Sequence, residues 1–175
     1  RPILTTREIP DYDVLMKRRL KILDQHKLGL NEIQDVVAKM EPLEGAIDFL
    51  RWLRRDFQVV ILSDTYYEFV MPLIAKLDYP TLLCHKLLTD ADGRIVDYLL
   101  RQPDPKRTSV KAFHGLNYKV IAAGDSYNDT TMLAEADAGI LFHAPDNVIA
   151  EFPQFPAVHS YADLRQEILS ACERL

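Results

Sequence analysis

Apolar positions in the first part of the chain recur at helical spacing. At about 100° per residue, Tyr12, Leu15, Met16, Leu20, Ile22 and Leu23 fall on one face, which predicts an amphipathic helix over 11–26 with Asp11 as its N-cap. Gly29 is expected to end that unit, Asn31 to cap a second helix over 32–40, and Pro42 to break the pattern. From Leu43 onward, helical periodicity alternates with short apolar runs. A helix is expected over 43–56, then Phe57–Leu62 as a buried parallel strand rich in β-branched residues. Residues 66–77 read as a helix that contains Pro72. Residues 81–88 and 94–101 flank Asp90-Ala91-Asp92-Gly93, the signature of a hairpin turn. Pro105 suits the first turn of a helix that runs to about Leu116. Strands follow over 119–123, 138–142 and 157–159, and helices over 128–136, 146–151 and 161–175. Such alternation predicts an α/β fold, a Rossmann-like parallel sheet flanked by helices. The expected division is a helical segment, 1–41, and an α/β core, 42–175.

Composition narrows the function classes. The chain has 175 residues, 48% hydrophobic and 27% charged, and a net charge of −5. No excess of Lys and Arg leads toward nucleic acid. Cys84 and Cys172 are too far apart, and in no metal-spaced motif, for a disulfide framework or a cysteine zinc site. No apolar stretch is long enough to span a membrane, and Arg1-Pro2-Ile3-Leu4 is no signal peptide, so a cytoplasmic protein is expected. His26, His85, His114, His143 and His159 lack metal-ligand spacing and read as surface or packing residues. Cys84 and His85 are neighbours on a strand, point to opposite faces and form no dyad. Trp52 is expected to face the core, and 152–156 to form a packed loop. No Gly-x-Gly-x-x-Gly follows a strand, which weakens a dinucleotide-binding reading.

Ligands of parallel α/β sheets bind beyond the carboxyl ends of strands, and the candidate chemistry lies there. The first strand leads into Ser63-Asp64-Thr65 ahead of a helix, which suits either an anion site or a simple N-cap. The next ends in Gly124-Asp125-Ser126-Tyr127-Asn128-Asp129. Asp125 and Asp129 there suit Mg²⁺, which takes one or two carboxylates and keeps several waters; capping is the alternative. Gly124 lets a ligand approach the backbone. Lys106 sits in a helix's first turn, where the macrodipole disfavours a cation, so it is either a solvated surface residue or the partner of an anion. Arg107 reads as surface. Arg19 falls within roughly 20° of the centre of the first helix's apolar stripe. A guanidinium turned inward must meet an anion, either a structural carboxylate or a substrate carboxylate or phosphate.

Three segments in order carry a specific resemblance: Val59-Val60-Ile61-Leu62-Ser63-Asp64-Thr65, Asp104-Pro105-Lys106-Arg107 and Gly124-Asp125-Ser126-Tyr127-Asn128-Asp129. They resemble motifs II, III and IV of haloacid dehalogenase-like phosphatases. The nearer similarity is to the phosphoserine phosphatase branch, and within it to the bacterial phosphoserine phosphatase/homoserine phosphotransferase type. Further likeness lies in 11–23, 81–86 and 121–146. The resemblance implies a helical cap at 1–41, a core at 42–175 and a β-hairpin insertion. It implies hydrolysis of O-phospho-L-serine through a phosphoaspartyl intermediate, with Mg²⁺ as cofactor, and leaves open whether water or homoserine accepts the phosphoryl group.

Residue by residue, Ser63 and the Asp64 backbone would hold phosphoryl oxygens. Lys106 would neutralise developing charge, Asp125 would ligate Mg²⁺ and Asn128 would touch the substrate. Asp129 would orient Lys106 or stand behind the metal, and Arg19 would hold the substrate carboxylate. The implied partner is a phosphorylated amino acid, with neither nucleic acid nor membrane; a homodimer stays open. The family's motif I, a strand ending in the nucleophilic Asp, does not appear ahead of Ile9, and residues 1–8 contain no Asp. Two expectations follow. One is an N-terminal segment in the natural protein, whose strand lies between those at 57–62 and 119–123. The other is an inactive phosphate-binding or interaction module.

Overall fold

A computed structural model describes residues 12–175. The expected N-cap at Asp11 lies outside them. The chain divides into two compact units, one from 1–43 and 58–101, the other from 44–57 and 102–175. Residues 58–101, which the sequence assigns to the core, thus pack with the helical segment that precedes them.

In the first unit, α1 (Tyr12–Gln25) and α2 (Leu30–Ala38) precede β1 (Val60–Tyr66), α4 (Tyr67–Lys76), β2 (Thr81–Thr89) and β3 (Ile95–Leu99). Gly29 does not end α1; it stands at the N-terminus of α2, where its N–H donates to the Glu32 carboxylate at 2.7 Å, so Asn31 already lies inside the helix. β1 pairs parallel with β2, and β2 antiparallel with β3. The hairpin turns as expected. Gly93 takes φ +78°, and the Asp90 carboxylate accepts from the N–H groups of Asp92 and Arg94. Alternation along β2 sends Leu82 and Cys84 to Ile74 of α4, and Leu87 to Met16 of α1 and Tyr66. Cys84 and His85 therefore face opposite ways as predicted, and both are buried, because helices cover both faces.

The second unit holds α3 (Ala46–Asp56), α5 (Pro105–Gly115), β4 (Ile121–Gly124), α6 (Thr130–Glu135), β5 (Ala138–Phe142), α7 (Asp146–Glu151), β6 (Ala157–Val158) and α8 (Tyr161–Arg174). Its three strands are parallel in the order β4-β5-β6. Ile140, Leu164 and Ile168 form a buried centre against which Phe49, Trp52, Leu53 and Phe57 pack. Trp52 faces that core, and the Arg165 guanidinium lies 4.7 Å from its ring centroid. Gly139 is where β5 passes closest to α6: a Cβ there would come within 2.5 Å of the Leu133 carbonyl oxygen.

The fold is mixed α/β with parallel strands and flanking helices. Among the described residues the strands form two three-stranded sheets, β1-β2-β3 and β4-β5-β6. Among the described residues, β1 and β4 are not paired with each other.

Candidate active site

β1 runs past its expected end. Val60, Ile61 and Leu62 pair in register with Thr81, Leu82 and Leu83, and Tyr66 pairs with His85. Ser63, Asp64 and Thr65 thus stand opposite Cys84 alone, a bulge outside regular pairing. Neither Ser63 nor Asp64 caps α4, whose N-cap is Tyr66. The capping alternative is therefore set aside, because the strand carries on through both residues before the helix starts. Within the bulge, the Ser63 hydroxyl accepts from the Thr65 N–H at 3.3 Å. Ser63, Asp64 and Thr65 are half-buried, at the carboxyl end of the strand.

Arg19 departs from expectation. It lies exposed on α1, with its guanidinium 3.9 Å from the Met16 sulfur. Leu15 and Met16 fill the buried centre of the stripe, and a long side chain one turn away reaches solvent along their edge.

In the second unit, a tight turn delivers Lys106. Asp104 adopts φ 43°, ψ 60° and its side chain accepts from the Thr131 hydroxyl at 2.9 Å, fixing the start of α5 to α6. Pro105 then opens the helix. Lys106, left open by the sequence between surface and anion partner, is buried and donates to Asp129 at 2.8 Å. The macrodipole penalty is thereby offset by a carboxylate. Arg107 pairs with Glu135 at 2.7 Å, away from this contact.

Asp129 is the hub. One oxygen takes Lys106; the other accepts from the N–H groups of Asp125 and Ser126, at 3.0 and 3.1 Å, and from the Ser126 hydroxyl at 3.0 Å. Gly124 is required beneath it, since a Cβ there would fall 2.4 Å from the Asp129 Cβ. Burial pushes the Asp129 carboxyl up, but Lys106 and the N–H donors win and hold it below the usual carboxylate range. Asp125 goes the other way, raised first by partial desolvation and then by the neighbouring Asp129 charge. Its carboxylate keeps contact with solvent. Asn128 is exposed in the 3-10 turn Tyr127–Asp129 that follows.

Asp125 offers a hard oxygen donor whose negative charge is disfavoured by its surroundings, and a cation relieves that. Among the described residues no three His, Cys, Asp or Glu side chains cluster as a complete metal cage. One carboxylate completed by waters and substrate phosphate is the regime Mg²⁺ accepts, so the donor set fits that ion.

The structure brings Lys106, Asp125, Ser126 and Asp129 together in one unit, and Ser63 and Asp64 in the other. Sequence reasoning missed the Thr131–Asp104 hydrogen bond and the buried position of His85 on the strand beside the bulge. A non-glycine residue ahead of Pro105 gives no warning of a left-handed turn, and the neighbour of a bulge follows from strand register, which periodicity does not report. His114, read from the sequence as a surface or packing residue, donates to Asp137 at 2.9 Å, which also accepts from Lys119 and the Val120 N–H.

The family described as haloacid dehalogenase-like hydrolase matches residues 4–134. The chain is 68% identical over 170 residues to phosphoserine phosphatase ThrH of Pseudomonas aeruginosa, covering 97% of this chain and 83% of that protein. It is 66% identical over 170 residues to a phosphoserine phosphatase of Pseudomonas syringae pv. tomato, covering 97% of this chain and 72% of that one. A crystal structure of phosphoserine phosphatase in apo form superposes with a TM-score of 0.68 at 21% identity, over 83% of this chain and 75% of that one. The last comparison concerns the fold, while the motif geometry and the sequence matches concern descent. The chain belongs to the haloacid dehalogenase-like hydrolases.

Proposed function

We propose that the protein is a Mg²⁺-dependent phosphoserine phosphatase that hydrolyses O-phospho-L-serine through a phosphoaspartyl intermediate. The observation that carries the reading is the buried Lys106–Asp129 ion pair at the end of β4, beside Asp125 and above an obligatory glycine. Phosphoryl transfer needs positioning and charge neutralisation, and this arrangement supplies both. Asp129 holds the Lys106 ammonium in place, where it would offset charge growing on the phosphoryl oxygens. The Ser63 hydroxyl and the Asp64 N–H, in the bulge of β1, would donate to those oxygens. Asp125 would hold Mg²⁺, which supplies Lewis-acid polarisation of the phosphoryl group. Asn128 would contact the substrate, and Arg19, exposed on the proposed helical cap, would bind its carboxylate with a bidentate fork. The nucleophilic Asp of this mechanism is assigned to no residue of the 175.

Identity to two proteins named phosphoserine phosphatase supports this reading over an inactive module. The test is phosphate release from O-phospho-L-serine with Mg²⁺ and with chelator. Mg²⁺-dependent release is expected; none under either condition overturns the reading. Homoserine added to the same reaction resolves the acceptor: phosphorylated homoserine marks transfer, and inorganic phosphate alone marks hydrolysis.

A further inference from the structure

A phosphoryl-binding loop that carries a carboxylate has an electrostatic conflict. Asp64 follows Ser63 directly, and its charge would repel the dianion that the Ser63 hydroxyl and the Asp64 N–H are read as binding. The first unit contains a resolution. His85 is buried on β2, paired in register with Tyr66, with the Tyr66 ring 5.9 Å away. Its Nδ1 accepts from the Arg101 backbone N–H at 3.1 Å. An imidazole nitrogen that accepts carries no proton, so the ring's hydrogen sits on Nε2. That Nε2 lies 3.9 Å from Asp64 Oδ1. Arg101 is itself held: its Nε donates to the Cys84 carbonyl at 3.0 Å and its terminal nitrogen to the Tyr67 hydroxyl at 2.8 Å. The tautomer is thus set by the Arg101 backbone N–H, and the protonated Nε2 is the ring nitrogen that lies 3.9 Å from the carboxylate of the loop.

We propose that His85 is a positioning residue that draws the Asp64 carboxylate away from the anion cradle, so that the bulge presents donors to a phosphoryl group without a competing negative charge. The inference rests on the phosphatase reading of Ser63 and Asp64. It assigns His85 to anion affinity rather than to a proton transfer, and its electrostatic partner is Asp64.

Two amide variants separate the two ends of the ring. His85→Gln keeps a donor near the Nε2 position and loses the acceptor for Arg101. His85→Asn keeps the acceptor and loses the donor toward Asp64. In the full-length protein with Mg²⁺, inorganic phosphate affinity by calorimetry and KM for O-phospho-L-serine are compared. His85→Asn should weaken phosphate binding and raise KM by about fivefold, the scale of one unit charge felt across several ångströms in a half-solvated site, with kcat moved less. His85→Gln should stay within about twofold of wild type, a difference below 0.5 kcal/mol. Asp64→Asn added to His85→Asn should restore phosphate affinity, which a purely structural role would not allow. An undiminished loss in the double variant, or no loss in His85→Asn, overturns the proposal. Should His85→Asn fail to fold, a loss of phosphate affinity in folded His85→Gln overturns it and retention supports it. Failure of the wild type to bind phosphate or release it from phosphoserine is a different result, which removes the phosphatase reading and this inference together.

Discussion

Gly124 shows how one hydrogen atom decides the candidate site. Asp129 packs on it so closely that any Cβ must displace the carboxylate that holds Lys106 and the Asp125 N–H. Gly124→Ala is therefore expected to cost about 1–3 kcal/mol, the range for overpacking a tight core position. Turnover should fall more than tenfold, because Lys106 moves with its partner. Denaturant unfolding together with steady-state kinetics checks both; wild-type values in each would mean that Asp129 is free to shift. Arg19 belongs to the same scale. Lysine keeps the charge and loses the fork, so Arg19→Lys should raise KM for phosphoserine well beyond its effect on a phosphate ester lacking a carboxylate. Equal effects on both esters would make Arg19 indifferent to the carboxylate. The residue types at these positions were legible in the sequence, and so was the glycine. Arg19's exposure was not, because a helical wheel locates the Cα–Cβ direction and not the end of a long side chain.

At the scale of elements, Asp137 ties three segments together. It accepts from the Val120 N–H ahead of β4, from Lys119 and from His114 at the end of α5. The Val120 N–H, with Lys119 and His114, holds its carboxyl down to about 2. The folded value lies below the unfolded one, so the charged form stabilises the fold. That contribution is complete above about pH 4, the unfolded aspartate value, and is lost as pH falls toward the folded value of about 2. Thermal unfolding should show a loss of stability across this window that is shallower in Asp137→Asn, which should also be less stable at neutral pH. An unchanged slope in that variant would remove Asp137 from the acid response. The elements themselves were largely readable. Apolar runs marked β5 and α7 at their observed bounds, and Pro105 marked the start of α5. β1 differs from expectation at both ends: Phe57 and Val59 are as apolar and β-prone as strand residues, yet pairing begins at Val60. Polar Ser63-Asp64-Thr65 looked like a stop, yet the strand bulges and continues to Tyr66. Pairing partners, not propensity, decide such ends.

For the whole molecule, the alternation of helix and strand identified an α/β fold, but not the grouping of the described strands into two three-stranded sheets. Which distant strands pair is set by long-range contacts that a local period does not encode. The motifs escaped this limit because each one is local: a strand end, a helix start or a turn carries its own chemistry. Among the described residues no helix is long and apolar enough to cross a membrane. With a net charge of −5, the proposed capture of a phosphate dianion would depend on local donors rather than on the overall field. The central claim is that these donors and Asp125 serve Mg²⁺-dependent hydrolysis of phosphoserine. Its most direct test compares the full-length wild type with Asp125→Asn, both confirmed as folded, for phosphate release from O-phospho-L-serine in saturating Mg²⁺. The account predicts turnover by the wild type and a fall of at least about a hundredfold in the variant, a loss of about 2.7 kcal/mol in transition-state stabilisation. Near-wild-type turnover by Asp125→Asn would contradict it.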